Sequence, residues 1–239
     1  MAATVYLIPS LLHEEGMRSI PSYITGIVKQ CSVLFVENER TTRRFLKKLD
    51  KEIVIDNYEW FTMSGPLEGP GMPQINEWFR KKIKEEKTIG IISEAGCPGI
   101  ADPGQQLVAI AQELNIEVKP LVGPNSILLA LMASGMNGQQ FRFAGYLPIK
   151  NPERNNAIKE LESESAKKNC TQIFIETPYR NNQLMEALLL TCQPLTKVCI
   201  AVDLTGPTEF IKTKTVGEWR KSKPDIHKRP AIFLLQGIS

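Results

Sequence analysis

The stretch Ile92-Ser93-Glu94-Ala95-Gly96-Cys97-Pro98-Gly99-Ile100-Ala101-Asp102-Pro103-Gly104 decides how the chain is read. It sets three glycines, two prolines and two acids behind the apolar run Thr88–Ile91. A short run that is apolar nearly throughout is the pattern of a strand buried on both faces. Glycine and proline behind such a strand mark one of two things: a structural turn, or a loop that brings bare backbone up to a ligand.

Working outward, Thr4–Ile8, Ser32–Glu37, Glu52–Asp56 and Ile116–Pro120 are further strand candidates, with Thr88–Ser93 the fourth in order. Between them lie helical patterns. Pro73–Lys87 puts Ile75, Trp78, Phe79 and Ile83 on one face, with Pro73 at the first helical position. Gln106–Leu114 repeats the pattern. Strands alternating with helices predict a parallel sheet. The second half differs. Ser126–Ser134 reads as a buried helix ended by Gly135 in the left-handed conformation, and a strand runs on from Phe141. Asn151-Pro152 is expected to cap a long polar helix ending near Lys168. Thr171–Thr177 is a strand, and Thr177-Pro178 opens a helix over Tyr179–Cys192. Lys197–Thr205, Glu209–Val216 and Pro230–Gly237 are then strands with little helix between them, which predicts a mixed sheet. The change of pattern near Pro120–Gly123 divides the chain into an N-terminal α/β domain, residues 1–120, and a C-terminal α/β domain, residues 121–239.

Composition narrows the function classes. The chain of 239 residues is long enough for one large or two small domains. It holds no run of about 18 apolar residues, so no membrane span is expected. Its start lacks a basic segment and reaches His13 and two glutamates early, which reads as a first strand and not a signal peptide. A net charge of +3 allows an RNA partner without demanding one. The scattered set Cys31, Cys97, Cys170, Cys192 and Cys199 forms no CxxC pair and suggests reduced thiols in the cytoplasm. GxGxxG, GxxxxGK[ST] and GxSxG patterns are missing. His13 and His227 show no metal spacing, so no metal site is expected.

What survives is glycine and proline at strand ends. Ligands of open α/β sheets lie beyond the carboxyl ends of the strands. The Ser93–Gly104 loop and Gly123-Pro124-Asn125-Ser126, which precedes a helix and its unpaired amides, both fit that rule. On the residues alone, both also fit plain turns.

At these residues the sequence resembles the tetrapyrrole methylase superfamily of S-adenosylmethionine-dependent methyltransferases. Within it, the chain is most similar to the small-subunit ribosomal RNA cytidine 2′-O-ribose methyltransferases. That group's SDAGTPxISDPG loop stands here as Ser93–Gly104, and its PGPSA as Val122-Gly123-Pro124-Asn125-Ser126, followed by Ala133-Ser134-Gly135. Its GFLP appears as Gly145-Tyr146-Leu147-Pro148, and its YExPHR as Ile175-Glu176-Thr177-Pro178-Tyr179-Arg180. Its AEDTR appears as Val36-Glu37-Asn38-Glu39-Arg40. These matches lie in order over nearly the whole chain. The resemblance implies a two-domain α/β fold, a homodimer, and S-adenosylmethionine in the cleft between domains, held largely by backbone. Its cofactor-binding positions fall here on Pro9, Glu94, Gly96, Cys97, Pro98, Ile100, Ala101, Asp102, Asn125 and Ser126. The departures are specific. The first loop, roughly PTPIGNLxD in the group, reads Pro9-Ser10-Leu11-Leu12-His13-Glu14-Glu15-Gly16. Glu94 replaces an aspartate, Cys97 a threonine and Asn38 an aspartate. Many members of the group also carry a small C-terminal extension, whereas this sequence ends soon after its last predicted strand.

Methyl transfer from a sulfonium needs alignment above all, and a ribose hydroxyl benefits from a general base. Glu37 and Glu39 are the catalytic candidates, with Glu176 beside them. The plainer readings are that Glu37 neighbours a helix cap or pairs with Arg40 or Arg43, and that Glu176 pairs with Arg180. Asp102 is expected to shape its loop and Cys97 to be a small loop residue; Tyr179 either flanks the cleft or is a core or rim tyrosine. The basic stretches Arg40–Lys48 and Arg220–Arg229 are either RNA phosphate contacts or solvated surface, and few aromatic residues are interleaved with them for base stacking. Three functions remain: methylation of small-subunit ribosomal RNA ribose, methylation of a tetrapyrrole or other small molecule, and a catalytically inactive cofactor-binding interaction protein.

Overall fold

A computed structural model describes residues 3–63 and 71–238. The chain divides into two compact units, Met1–Asn125 and Ser126–Ser239.

The first unit is built on β1 (Thr4–Ile8), β2 (Val33–Val36), β3 (Glu59–Thr62), β4 (Thr88–Ile92) and β5 (Glu117–Pro120). They form one sheet in the order β3-β2-β4-β1-β5, and every pairing is parallel. Every strand therefore ends at the same edge. Alternate residues on a strand face opposite sides, and the burial follows that rule. Val33 and Phe35 join a core with Phe79 and Leu107, from helices α3 (Met72–Lys84) and α4 (Gly104–Glu113). Leu34 and Val36 join a second core with Val28 and Phe45, from α1 (Ile24–Gln30) and α2 (Glu39–Leu49). Both faces of the sheet are thus covered, which is why central β2 is apolar throughout, whereas the edge strands β3 and β5 carry Glu59, Glu117 and Lys119.

The second unit holds β6 (Phe141–Tyr146), β7 (Thr171–Ile175), β8 (Lys197–Val202), β9 (Phe210–Thr215) and β10 (Ala231–Gln236) in the order β6-β7-β10-β8-β9. Only β6 and β7 run parallel; the remaining neighbours are antiparallel. The mixed sheet expected from the strand-rich C-terminal pattern is present. The helices are α5 (Ser126–Ser134), α6 (Glu153–Lys168), α7 (Asn181–Thr191) and the short α8 (Val216–Trp219). Phe174, Phe233, Leu188 and Trp219 centre the core, and the Trp219 indole N–H donates to the Val198 carbonyl at 2.9 Å. Gly135 follows α5 at φ +68°.

Three readings of the sequence need correction. The expected strand Glu52–Asp56 is a connector ending in a 3-10 turn, Ile55–Asn57. Its backbone is engaged by side chains instead of a neighbouring strand: Asp50 accepts from the Glu52 amide at 2.8 Å, and Lys47 donates to the Lys51 and Ile53 carbonyls at 3.0 and 2.7 Å. The pairing with β2 goes to Glu59–Thr62, where Phe61 stacks on Phe35 at 4.8 Å. Asn151 does not cap α6. The Lys150 and Pro152 carbonyls take the first amides, from Arg154 and Asn156. In α3, Met72 precedes Pro73, and Trp78 lies at the rim of the apolar face, 37% exposed.

Candidate active site

The loops that leave β1, β2, β4 and β5 meet at the carboxyl edge of the first sheet. Pro9 and Ser10 leave β1, and the Ser10 amide donates to the Gly96 carbonyl at 2.8 Å. The Ser93 hydroxyl donates to the same carbonyl at 3.2 Å. Gly96 sits at φ +77°, and a side chain there would crowd Leu12 at 3.2 Å and the Pro124 carbonyl at 3.3 Å. Backbone freedom and close approach both select glycine at this position. The β5 loop is held as tightly: a Cβ on Gly123 would lie 2.1 Å from the Pro9 ring. Cys97 donates its thiol to the Pro124 carbonyl at 3.4 Å and also bonds the Asn125 side chain. Burial pushes that thiol above its ordinary range, which disfavours the thiolate a nucleophile needs.

Beyond Cys97 the loop turns outward. Pro98 is buried, whereas Ile100 and Ala101 are exposed. Gly99 at φ +83° and Ala101 at φ +60° both adopt left-handed backbone. The turn is held by Asp102, whose Oδ1 accepts from the Gly99 amide at 2.9 Å and the Gly104 amide at 2.8 Å. Asp102 is buried and serves the start of α4, as its sequence context suggests. Among the described residues nothing accepts a hydrogen bond from the Ile100 or Ala101 amide, and open space lies beside Gly99. Two free donors, an exposed isoleucine and open space beside Gly99 fit a ligand with both polar and apolar parts.

Glu37 ends β2 and joins this loop. Its Oε2 accepts from the Glu94 amide at 2.5 Å. Glu94 in turn accepts from the Asn38 side chain at 3.5 Å. Burial raises the Glu37 pKa, the Glu94 amide opposes the rise, and the Asp102 and Glu94 carboxylates add to it. Among the described residues no arginine pairs with it; Arg43 bridges Glu39 and Arg180 bridges Glu176. Asn38 caps α2, accepting from the Arg40 and Thr41 amides at 3.0 and 3.2 Å. Glu39 instead bridges Arg43 at 2.5 Å, with both side chains exposed.

The structure also brings together groups that sequence proximity does not. Arg43 lies over Trp60, 5.2 Å from the ring centre. Arg44, Phe45 and Lys48 line a cleft of about 190 Å³ with Ser10, His13 and Glu94. The first loop, which departs most from the group's pattern, thus forms one wall of a cleft beside the β4 loop. Asn125 ends the first unit and Ser126 opens the second. In the second unit, Glu176 is buried and accepts from the Arg180 guanidinium at 2.6 Å and the Thr177 amide at 2.5 Å. Tyr179, expected in a core or at a rim, is 67% exposed. Of the second basic stretch, Arg220 donates to the Leu189 and Cys192 carbonyls, Lys223 pairs with Glu186, and Arg229 pairs with Asp203.

The sequence pattern of the tetrapyrrole (corrin/porphyrin) methylases matches residues 25–219. The chain belongs to that family. Its relatives include the protein named ribosomal RNA small subunit methyltransferase I of Escherichia coli O157:H7, 33% identical over 67% of this chain and 56% of that one. The protein of the same name from Halalkalibacterium halodurans is 31% identical over 81% of this chain and 65% of that one. The one from Vibrio cholerae is 26% identical over 99% and 78%. The chain therefore spans between about half and four-fifths of the length of these relatives. Among solved structures, the methyltransferase CobJ superposes with a TM-score of 0.61 at 16% identity, covering 99% of this chain and 94% of that one. A Thermus thermophilus uroporphyrin-III C-methyltransferase, complexed with S-adenyl homocysteine, superposes with a TM-score of 0.57 at 15% identity, over 98% and 97%. At 15–16% identity, what these two structures share with the chain is the fold.

Proposed function

We propose that this chain is an S-adenosylmethionine-dependent methyltransferase that methylates a ribose 2′-hydroxyl of small-subunit ribosomal RNA. The observation that carries the reading is the β4 loop: Ile100 and Ala101 present free amides beside open space, at the strand edge where α/β folds bind ligands. The names of the relatives supply small-subunit ribosomal RNA as the substrate, and the ribose hydroxyl follows the resemblance drawn from the sequence. The residues fit the cofactor, which when bound supplies a methyl group on a sulfonium. The Gly96–Ala101 backbone would hold its polar groups, Ile100 would cover an apolar part, and Cys97 and Asn125 would shape the wall. Glu37 is the general base in this reading. Burial raises the pKa of its half-buried carboxylate, which makes it a stronger base than an exposed glutamate. It would take the proton of the attacking hydroxyl and return it to water. Glu39 is less suited, being held by Arg43.

The reading places the protein in the cytoplasm and, following the family resemblance, in a homodimer. Sedimentation at micromolar concentration tests the dimer, and a monomeric mass contradicts it. The function is tested by incubating the protein with radiolabelled S-adenosylmethionine and small ribosomal subunits from cells lacking it, with a tetrapyrrole precursor in parallel. Label in the ribosomal RNA supports the reading. Label only in the tetrapyrrole replaces it with the small-molecule reading, and binding of cofactor without transfer to either leaves the interaction protein.

A further inference from the structure

In the second unit, β6 and β7 lie side by side and parallel, with Tyr146 opposite Ile175 at their carboxyl ends. Beyond those ends two tyrosines stand in solvent, Tyr146 at 63% and Tyr179 at 67% exposure. An exposed tyrosine ring offers a flat face on which a nucleic-acid base can stack. Arg180 lies next to Tyr179 in the chain and close enough to Tyr146 to feel its hydroxyl. Tyr179 is held from the other side by residues distant in sequence. The His227 ring is nearly perpendicular to it, at 78° with the ring centres 6.1 Å apart, and Lys228 Nζ lies 5.7 Å from its ring centre. The Lys228 amide donates to the Pro178 carbonyl at 2.9 Å, which pins the two segments together.

Tyr146 also stands at the lip of a groove of about 650 Å³ that runs between β6 and α6. Arg142, Lys159, Lys167 and Lys168 line it, together with Glu160 and Glu164. Glu164 is taken by Arg142 at 2.5 Å and by Lys168 at 2.9 Å. Among the described residues, Lys159 and Lys167 have no ion-pair partner. Cations along a groove with exposed aromatic rings at its end are the two ingredients of single-strand recognition: phosphates follow the cations and bases stack on the rings.

We propose that the strip from this groove through Tyr146 and Arg180 to Tyr179, His227 and Lys228 binds single-stranded RNA, with a base stacked on Tyr179 and phosphates along Lys159 and Lys167. The inference rests on the ribosomal RNA reading above and assigns its substrate contacts to the second unit.

The test is the binding of a mixed-sequence single-stranded RNA 20-mer, followed by fluorescence anisotropy across salt concentrations, beside methyl transfer to small ribosomal subunits. Tyr179→Ala is expected to bind the RNA about 5- to 150-fold more weakly, the range found for losing one stacked base. Tyr179→Phe keeps the ring and is expected to bind like wild type. Lys167→Gln is expected to reduce the slope of log affinity against log salt by about 0.7. Thermal unfolding of each variant should match wild type. Tyr179→Ala binding within twofold of wild type, or Tyr179→Phe as weak as Tyr179→Ala, overturns the proposal. So does a wild type that methylates subunits without binding the 20-mer; in each of these cases subunit methylation leaves the functional reading standing. A wild type that neither binds the 20-mer nor methylates subunits removes both. Ring-dependent binding without subunit methylation keeps the strip and removes only the ribosomal acceptor.

Discussion

Glu37 and Glu176 each follow a buried strand, and their surroundings push them in opposite directions. Glu37, after β2, has backbone amide help and two carboxylates nearby, and its pKa rises chiefly because it is buried. Glu176, after β7, is more deeply buried, which by itself would raise its pKa. The Arg180 guanidinium and the Thr177 amide outweigh that burial and hold it below the ordinary carboxylate range. A strand-end acid is thus made a proton acceptor or a structural anion by its partner. Among the described residues no cation pairs with Glu37, and it is this, more than the acid itself, that makes Glu37 the better candidate for a proton acceptor.

The largest expected effect breaks that comparison at Glu37. Glu37→Gln keeps an acceptor for the Glu94 amide but removes the base, and should lower kcat for methyl transfer by about 100- to 10,000-fold. Glu176→Gln should stay within a few-fold of wild type in the same assay. Comparable losses from both substitutions would erase the distinction.

Gly96→Ala comes next. It forces a side chain into left-handed backbone at a cost of about 1–2 kcal/mol and against the Pro124 carbonyl. Chemical denaturation should show that loss, and calorimetry should show weaker S-adenosylmethionine binding. Unchanged cofactor affinity in the folded variant would make the glycine purely structural.

Arg180→Ala leaves Glu176 buried without its cation and should lower Tm by several degrees at neutral pH. The pH dependence has a definite sign. A depressed folded-state pKa contributes stability above the ordinary carboxylate range and loses it as pH falls through the folded value. The gap between wild type and Arg180→Ala should therefore shrink in acid. A gap independent of pH would mean that Arg180 acts by packing alone.

Glu37→Gln carries the smallest effect on stability, and its sign is the reverse. A raised folded-state pKa penalises the native state above that pKa, so removing the charge should leave Tm at neutral pH equal to or slightly above wild type. A marked drop in Tm would show that Glu37 is chiefly a strut for the β4 loop.

Much of the fold is legible in the chain because local patterns and long-range packing agree. β2 and β4 are apolar throughout and lie under helices on both faces. Glu52–Asp56 misleads because β-branched residues there are outcompeted by Asp50 and Lys47 for the backbone's hydrogen bonds. Glycine and proline spacing marks the β4 loop, since backbone conformation is a local property. The groups around Glu37 and Tyr179 are not legible in this way. Glu94 reaches Glu37 across 57 positions, and His227 reaches Tyr179 only through the fold. Arg43 illustrates the same limit: it sits in a basic run but lies over Trp60 and pairs with Glu39.

The central claim is that Glu37 accepts the proton of the attacking hydroxyl. Its most direct test is the pH dependence of kcat/KM for methyl transfer to small ribosomal subunits, compared between wild type and Glu37→Gln. Wild type should lose activity on the acid side through a single ionisation above the ordinary glutamate range. In Glu37→Gln that limb should vanish, leaving a low rate that no longer falls with acid. An identical acid limb and an undiminished rate in the variant would contradict the account.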